Sequence, residues 1–307
     1  MYQRKKQAQA RPDHVASHAH APPSPLVQRP RVAAASIASF FFPLFFCILI
    51  PRFLAANRVP VSDCDETFNF WEAVHHLTHR GGQQTWEQAP QYALRSWLYA
   101  GLHAVLFKIV STCVPWISSP ASFWFLSRFA LAAISSGVEA FAAAVILREC
   151  RKMKRMTCGY LAVAFLATSP GMFSHQVSLL PTTTAATLLL LSTALIIFDD
   201  AKYFPLVPLL AGIAILLGWP FACVAYAPVL LSTVHYYYHH ALGLKRLFYH
   251  ASYAACLVMA ASVTCDTVMY AARVRSPCTQ APLTLLLHVW PFHILSRQPR
   301  ILQRLWR

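Results

Sequence analysis

Eleven Asp and Glu side chains occur in 307 residues, and five of them, Asp63, Asp65, Glu66, Glu72 and Glu87, fall between residues 57 and 90. The same segment, VSDCDETFNFWEAVHHLTHRGGQQTWEQAPQYALRSWLYAG, carries Phe68, Phe70, Trp71, Trp86, Tyr92, Trp97 and Tyr99. Carboxylates among aromatic faces suit a sugar, whose C–H face stacks on a ring while its hydroxyls donate to an acid. The competing reading is a membrane-interface loop, where Trp and Tyr serve as anchors and acid carries no task. Asp65 and Glu66 are sequence neighbours and diverge by about 100° in a helix, so one could take a proton while the other holds substrate or fold.

Other residues admit chemistry with less support. Glu72, His75, His76 and His79 have a helical spacing that metal ligation can use. No HExxH accompanies them, and an interfacial histidine cluster is the preferred reading, with no metal and no cofactor. Arg95, Arg128 and Glu139 lie in or beside apolar stretches, where a charge normally faces a cavity or a partner. Arg95 could hold a phosphate through a fork of hydrogen bonds or snorkel to headgroups. The nine cysteines contain no CxxC pair and read mostly as small core residues in helices.

The elements that must position these residues follow from hydropathy. Residues of the hydrophobic set make up 57% of the chain and charged residues only 12%, about half the charged share of a soluble domain. Nine glycines leave no dinucleotide or phosphate-loop fingerprint. The formal charge of +15 is carried by basic residues between apolar runs, which implies a lipid bilayer as partner and no nucleic acid. An apolar run from Val32 to about Ala56, read as a signal anchor, follows a basic segment, 1–31, expected to be a disordered cytosolic tail. Further runs are Ser122 to Leu147, Tyr160 to Met172, Thr182 to Phe198, Pro205 to Trp219, Phe221 to Tyr238 and Ser252 to Val263. They lack period-two alternation, so an all-α polytopic membrane bundle is expected. Arg95, His103 and Lys108 argue that Tyr92 to Ile117 lies in the interface or re-enters instead of crossing. The basic tail, RECRKMKR at 148–155 and HHALGLKRLFYH at 239–250 then share the cytosolic side, and the loop at about 57–118 lies opposite.

DCDETFNFWE at 63–72, QTWEQAPQYALRSWLYAGLHA at 84–104, SPGMF at 169–173, LLPTT at 179–183 and GWPF at 218–221 form an ordered set. It closely resembles glycosyltransferase family 22, in particular its dolichyl-phosphate-mannose-dependent α-1,2-mannosyltransferases of lipid-linked oligosaccharide assembly, over about residues 32–266. The resemblance implies a GT-C architecture over residues 32–275. It also implies mannose transfer, with inversion, from dolichyl-phosphate-mannose to a dolichol-linked oligosaccharide on the luminal face of the endoplasmic reticulum, serving N-glycan precursor assembly. By the same likeness Asp65 is the expected base, Glu66 an acceptor-positioning group and Asp63 the reserve. Arg95, Trp71, Glu72, Trp86 and His175 are the expected substrate-binding residues, with Gln176 a weaker candidate.

Beyond about Asp266 the likeness is expected to stop. Residues 276–307 read as a basic amphipathic tail, with Pro282 to Leu295 interfacial and Arg297, Arg300, Arg304 and Arg307 at the headgroups. The family's later helices and its His-Lys-acid-Glu-Arg-Phe box are not found, so the 307-residue chain is expected to be truncated and nearly inactive by itself. Mannosylation of a glycolipid-anchor precursor, a transporter and an inactive membrane scaffold are the alternatives.

Overall fold

The computed structural model describes residues 32–61, 63–114, 119–200, 202–239 and 243–275. The expected tails at 1–31 and 276–307, with Pro282 to Leu295 and the four terminal arginines, lie outside the described residues. Every regular element among the described residues is helical. They are α1 (Val32–Arg58), α2 (Glu72–His79), α3 (Trp97–Thr112), α4 (Pro120–Lys152), α5 (Met156–Thr168), α6 (Pro170–His175), α7 (Pro181–Phe198), α8 (Leu206–Gly212), α9 (Ala222–His239) and α10 (Leu244–Arg275). A π-helical turn, Glu66–Trp71, leads into α2, another, Ile213–Gly218, continues α8, and a 3-10 turn covers Trp86–Gln88. Four segments are long and apolar enough to cross a bilayer: Ile37–Arg58, Pro120–Lys152, Pro181–Phe198 and Leu244–Ala271. The chain is an all-α membrane bundle, and its outward apolar side chains, such as Phe46, Phe165 and Leu231, match a lipid surround.

Local chemistry sets the helix ends. Ser119 caps α4 by accepting from Ser122 N at 3.1 Å, Pro120 follows at the first turn, and Arg151 and Lys152 occupy the last, where cations complement the exposed carbonyls. The run expected from Tyr160 to Met172 is broken into α5 and α6 because Ser169 precedes Pro170 and is held extended at ψ 125°, as the proline ring requires. The run expected from Ser252 to Val263 is longer in both directions. Leu244 to His250, read as part of a basic cytosolic segment, forms the first turns of α10, since Leu, Lys and Arg are all good helix formers.

The α1–α4 pair is the spine of the bundle. Within it Arg52 and Glu139, both buried, form a two-pronged ion pair, the Arg52 Nε to Glu139 Oε1 distance being 3.1 Å. Gly159 lets α5 turn back onto α4, because a Cβ there would meet the Cys150 Cβ at 3.0 Å. The cysteines correct one expectation. Six of the eight among the described residues are exposed and only Cys265 is buried. In a lipid-facing bundle an apolar thiol has no need of the interior.

The helices divide the molecule into two ends. At one, Arg151 sits over the Phe40 ring, Arg148 donates to Phe198 O, and Phe204, Tyr236, Tyr237 and Leu247 cluster. This end collects the basic stretches 148–155 and 244–250. At the other lie the acidic loop, the start of α4, the α6–α7 turn and the end of α10. α3 starts and finishes at this second end: Trp97 packs on His76, Phe107 stacks on Trp71, and the chain then enters α4, whose Phe123 meets His79.

Candidate active site

The DCDE segment separates two environments. On one face stands Asp65, the residue that immediately precedes the π-helical turn. Its carboxylate is 62% exposed and accepts from Asn69 Nδ2 at 3.1 Å, and its Oδ2 faces Arg95 Nη2 at 4.0 Å. Arg95 is itself fixed. Its Nε donates to Glu87 Oε2 at 2.9 Å and its guanidinium lies over the Phe70 ring at 5.4 Å. Exposed Trp86 packs edge to face with Tyr92, beside Glu87 in the same loop. Asp65, Arg95 and Glu87 are thus brought together over the buried Phe70 ring, with a solvated carboxylate beside a partly shielded cation.

Glu66 points the other way and is buried. Its Oε1 accepts from Trp71 Nε1 at 2.9 Å and from Leu179 N at 2.8 Å, tying the acidic loop to the α6–α7 turn. Burial pushes its carboxyl above the usual range, opposed by those two hydrogen bonds and the nearby Arg128 charge and aided slightly by Asp63. A small polar cavity of about 110 Å³ opens here, lined by Asp63, Glu66, Arg128, Ser174, His175 and Ser178 over Val59, Pro60 and Leu180. Arg128 donates to Val59 O at 2.8 Å and lies over Trp124.

Trp71 holds Glu66 through its indole N–H but, with Glu72, faces away from both places. Trp71 is buried against Phe107, and Trp71 and Glu72 line a separate, larger cavity of about 410 Å³ with His75, His79 and Phe123. The Glu72 carboxylate accepts from Gln83 N at 3.0 Å, closing the loop at Gly82, whose φ of 109° is left-handed and suits glycine. His76 packs on Trp97 while His75 meets His79, so Glu72 and the three histidines do not converge. The His79 ring is held below its ordinary value by burial and by the neighbouring His75 and Lys108. Gln176 is buried and accepts from Thr187 Oγ1 at 2.8 Å. Asp63, Cys64 and Asp65, all exposed, place one ligand atom each within 4.8 Å of one another.

Sequence reasoning missed three partners. Glu87 was counted among the loop's acids, not as the ligand of Arg95. Leu179 reaches Glu66 through its backbone, which no side-chain pattern records. Asp266, the last acid in the chain, accepts from Trp97 N at 2.7 Å and from Ser96 Oγ at 3.2 Å, and its isolation in an apolar helix was the available signal.

This site, an acidic, aromatic-rich turn at one end of a membrane bundle, coincides with a recorded family. The model of the Alg9-like mannosyltransferase family matches residues 43–292. The chain belongs to that family. The match continues past Asp266, where the motif likeness was expected to end. Among relatives, the human Alpha-1,2-mannosyltransferase ALG9 is 32% identical over 241 residues, 76% of this chain and 36% of that protein. The Schizosaccharomyces pombe enzyme of the same name is 30% identical over 243 residues, 76% and 40% respectively. The Arabidopsis thaliana one is 30% identical over 204 residues, 64% and 32%. The chain therefore spans roughly a third of the length of these relatives. No solved structure matches it.

Proposed function

We propose that this chain carries the base-bearing part of a mannosyltransferase that moves mannose from dolichyl-phosphate-mannose to a mannose hydroxyl of a dolichol-linked oligosaccharide, forming an α-1,2 linkage with inversion. The observation that supports this reading best is the exposed Asp65 carboxylate beside Arg95 in a member of the Alg9-like family. Asp65 takes the acceptor hydroxyl's proton, the freed oxygen attacks the anomeric carbon, and the bond from that carbon to the phosphate oxygen breaks as dolichyl phosphate leaves.

The spacing is compatible with an in-line path. A base hydrogen-bonds its hydroxyl at about 3 Å and the attacked carbon lies about 3–3.5 Å further on, so the leaving oxygen stands roughly 6 Å from the base along a bent line. Arg95 Nη2, at 4.0 Å from Asp65, is one hydrogen bond short of that point. Arg95 would neutralise the phosphate, Trp86 and Tyr92 offer faces for a sugar, and the polar cavity beside Asp63 and His175 offers partners for acceptor hydroxyls. Glu66 holds the loop in place.

Placement in the endoplasmic reticulum membrane with the acidic loop luminal is part of the same reading. Support comes from the clustering of two basic segments at the opposite end, which cytosolic sidedness explains. The reading is tested in microsomes carrying the chain, alone or continued by the C-terminal part of a relative, supplied with dolichyl-phosphate-mannose and a mannose-trimmed lipid-linked glycan. It expects α-1,2-linked mannose on the lipid-linked product. Absence of transfer in both preparations contradicts it.

A further inference from the structure

Arg95 lies in a non-helical stretch, so its placement against Asp65 depends on what holds the backbone. Upstream, Leu94 N donates to Glu87 O at 2.9 Å. Downstream the anchors come from α10, about 170 positions away. Tyr270 donates its hydroxyl to Arg95 O at 2.7 Å, and Asp266 Oδ1 accepts from Trp97 N at 2.7 Å and from Ser96 Oγ at 3.2 Å. Ser96 in turn caps α3 by accepting from Leu98 N at 3.2 Å. Two consecutive peptide units after Arg95 are therefore gripped by side chains one helical turn apart on α10. A cap on α3 alone accounts for Asp266, since a carboxylate suits a helix N-terminus. It does not account for Tyr270, which holds the carbonyl of Arg95 itself.

We propose that Asp266 and Tyr270 are positioning residues that set the Arg95 guanidinium against Asp65 by clamping the backbone between Arg95 and Trp97. The part of this concerning a bound phosphate rests on the function proposed above; the clamp does not. Tyr270→Phe removes one hydroxyl and keeps the ring, so folding is preserved, and Asp266→Ala removes the second anchor.

Two measurements on the whole chain in nanodiscs decide it. Amide hydrogen exchange over residues 94–99 reports the clamp directly, because local opening governs exchange. Tyr270→Phe should accelerate exchange there and leave α4 unchanged; an unchanged segment overturns the clamp. Dolichyl phosphate is the probe for the second. Tyr270→Phe should weaken its binding about tenfold, the size of one net hydrogen bond. In an Arg95→Gln background the same change should cost less than about twofold, because residues acting through one group are not additive. Equal losses in both backgrounds overturn the positioning role, leaving Tyr270 a structural residue only. Should the parent bind no dolichyl phosphate, the phosphate role of Arg95 falls, and the exchange result still decides the clamp by itself.

Discussion

The carboxylate of Glu66 accepts the backbone N–H of Leu179 at 2.8 Å across 113 positions. This bond fastens the loop that carries Asp65 to the turn between α6 and α7. It makes Glu66 a fastening group, and its neighbour in sequence the exposed one.

Stability should record that division. In Glu66→Gln the amide oxygen still accepts from Trp71 and Leu179, and the buried charge is gone. Because the folded-state carboxyl titrates above its ordinary 4.5, the folded protein favours the protonated form. The ionised form therefore costs stability, a cost that is absent below about pH 4.5 and sets in as pH rises through the folded-state value. Thermal unfolding in detergent should show the Gln variant matching the parent at acid pH and gaining on it toward neutrality. Glu66→Ala strands two donors and should lose about 2–4 kcal/mol. A Gln variant that lags the parent at neutral pH would mean the charge itself is needed.

Arg52 and Glu139 join α1 to α4 in the interior. Removing one partner leaves an uncompensated buried charge, so Glu139→Ala should destabilise by about 3–5 kcal/mol, and replacing both, Arg52→Met with Glu139→Leu, should recover most of it. Unfolding of the two single variants and the double variant checks this. A double variant as unstable as Glu139→Ala would show that the pair is not an isolated unit.

The proposed sidedness rests on the basic and acidic ends of the bundle. An N-glycosylation acceptor placed near residue 75 should be modified by luminal machinery and one near residue 154 should not. Modification near 154 would overturn the non-crossing reading of α3 and make it a crossing helix, with residue 154 on the same side as the acidic loop.

The helices were legible because a bilayer imposes one rule, that an apolar run must satisfy its backbone internally. Arg95, His103 and Lys108 marked α3 as a poor crossing segment, and its Trp97 and Phe107 both pack against residues of the acidic loop. What could not be read were contacts without a local signature. HHALGLKRLFYH at 239–250 reads only as a basic cytosolic segment, although α10 begins within it, since Lys and Arg serve a headgroup surface and a helix equally well. The pairing of Arg95 with Glu87 spans a loop whose path turns at Ala93, at φ 46°. Tyr270 and Asp266 reach it from a helix whose packing is set by the whole bundle. Trp71 and Glu72 stood among the aromatic and acidic residues of the loop, yet the π-helical turn directs them to the other cavity.

The most direct test of the account is Asp65→Asn, which keeps the shape and the Asn69 contact but removes the base. Measured as mannose transfer from dolichyl-phosphate-mannose in microsomes competent for the reaction, turnover should fall by at least about 100-fold, the low end for a positioned general base, while binding of the glycolipid substrates changes little. Near-normal turnover by the Asn variant would contradict the assignment and move the base to Asp63, whose carboxylate stands within 4.8 Å.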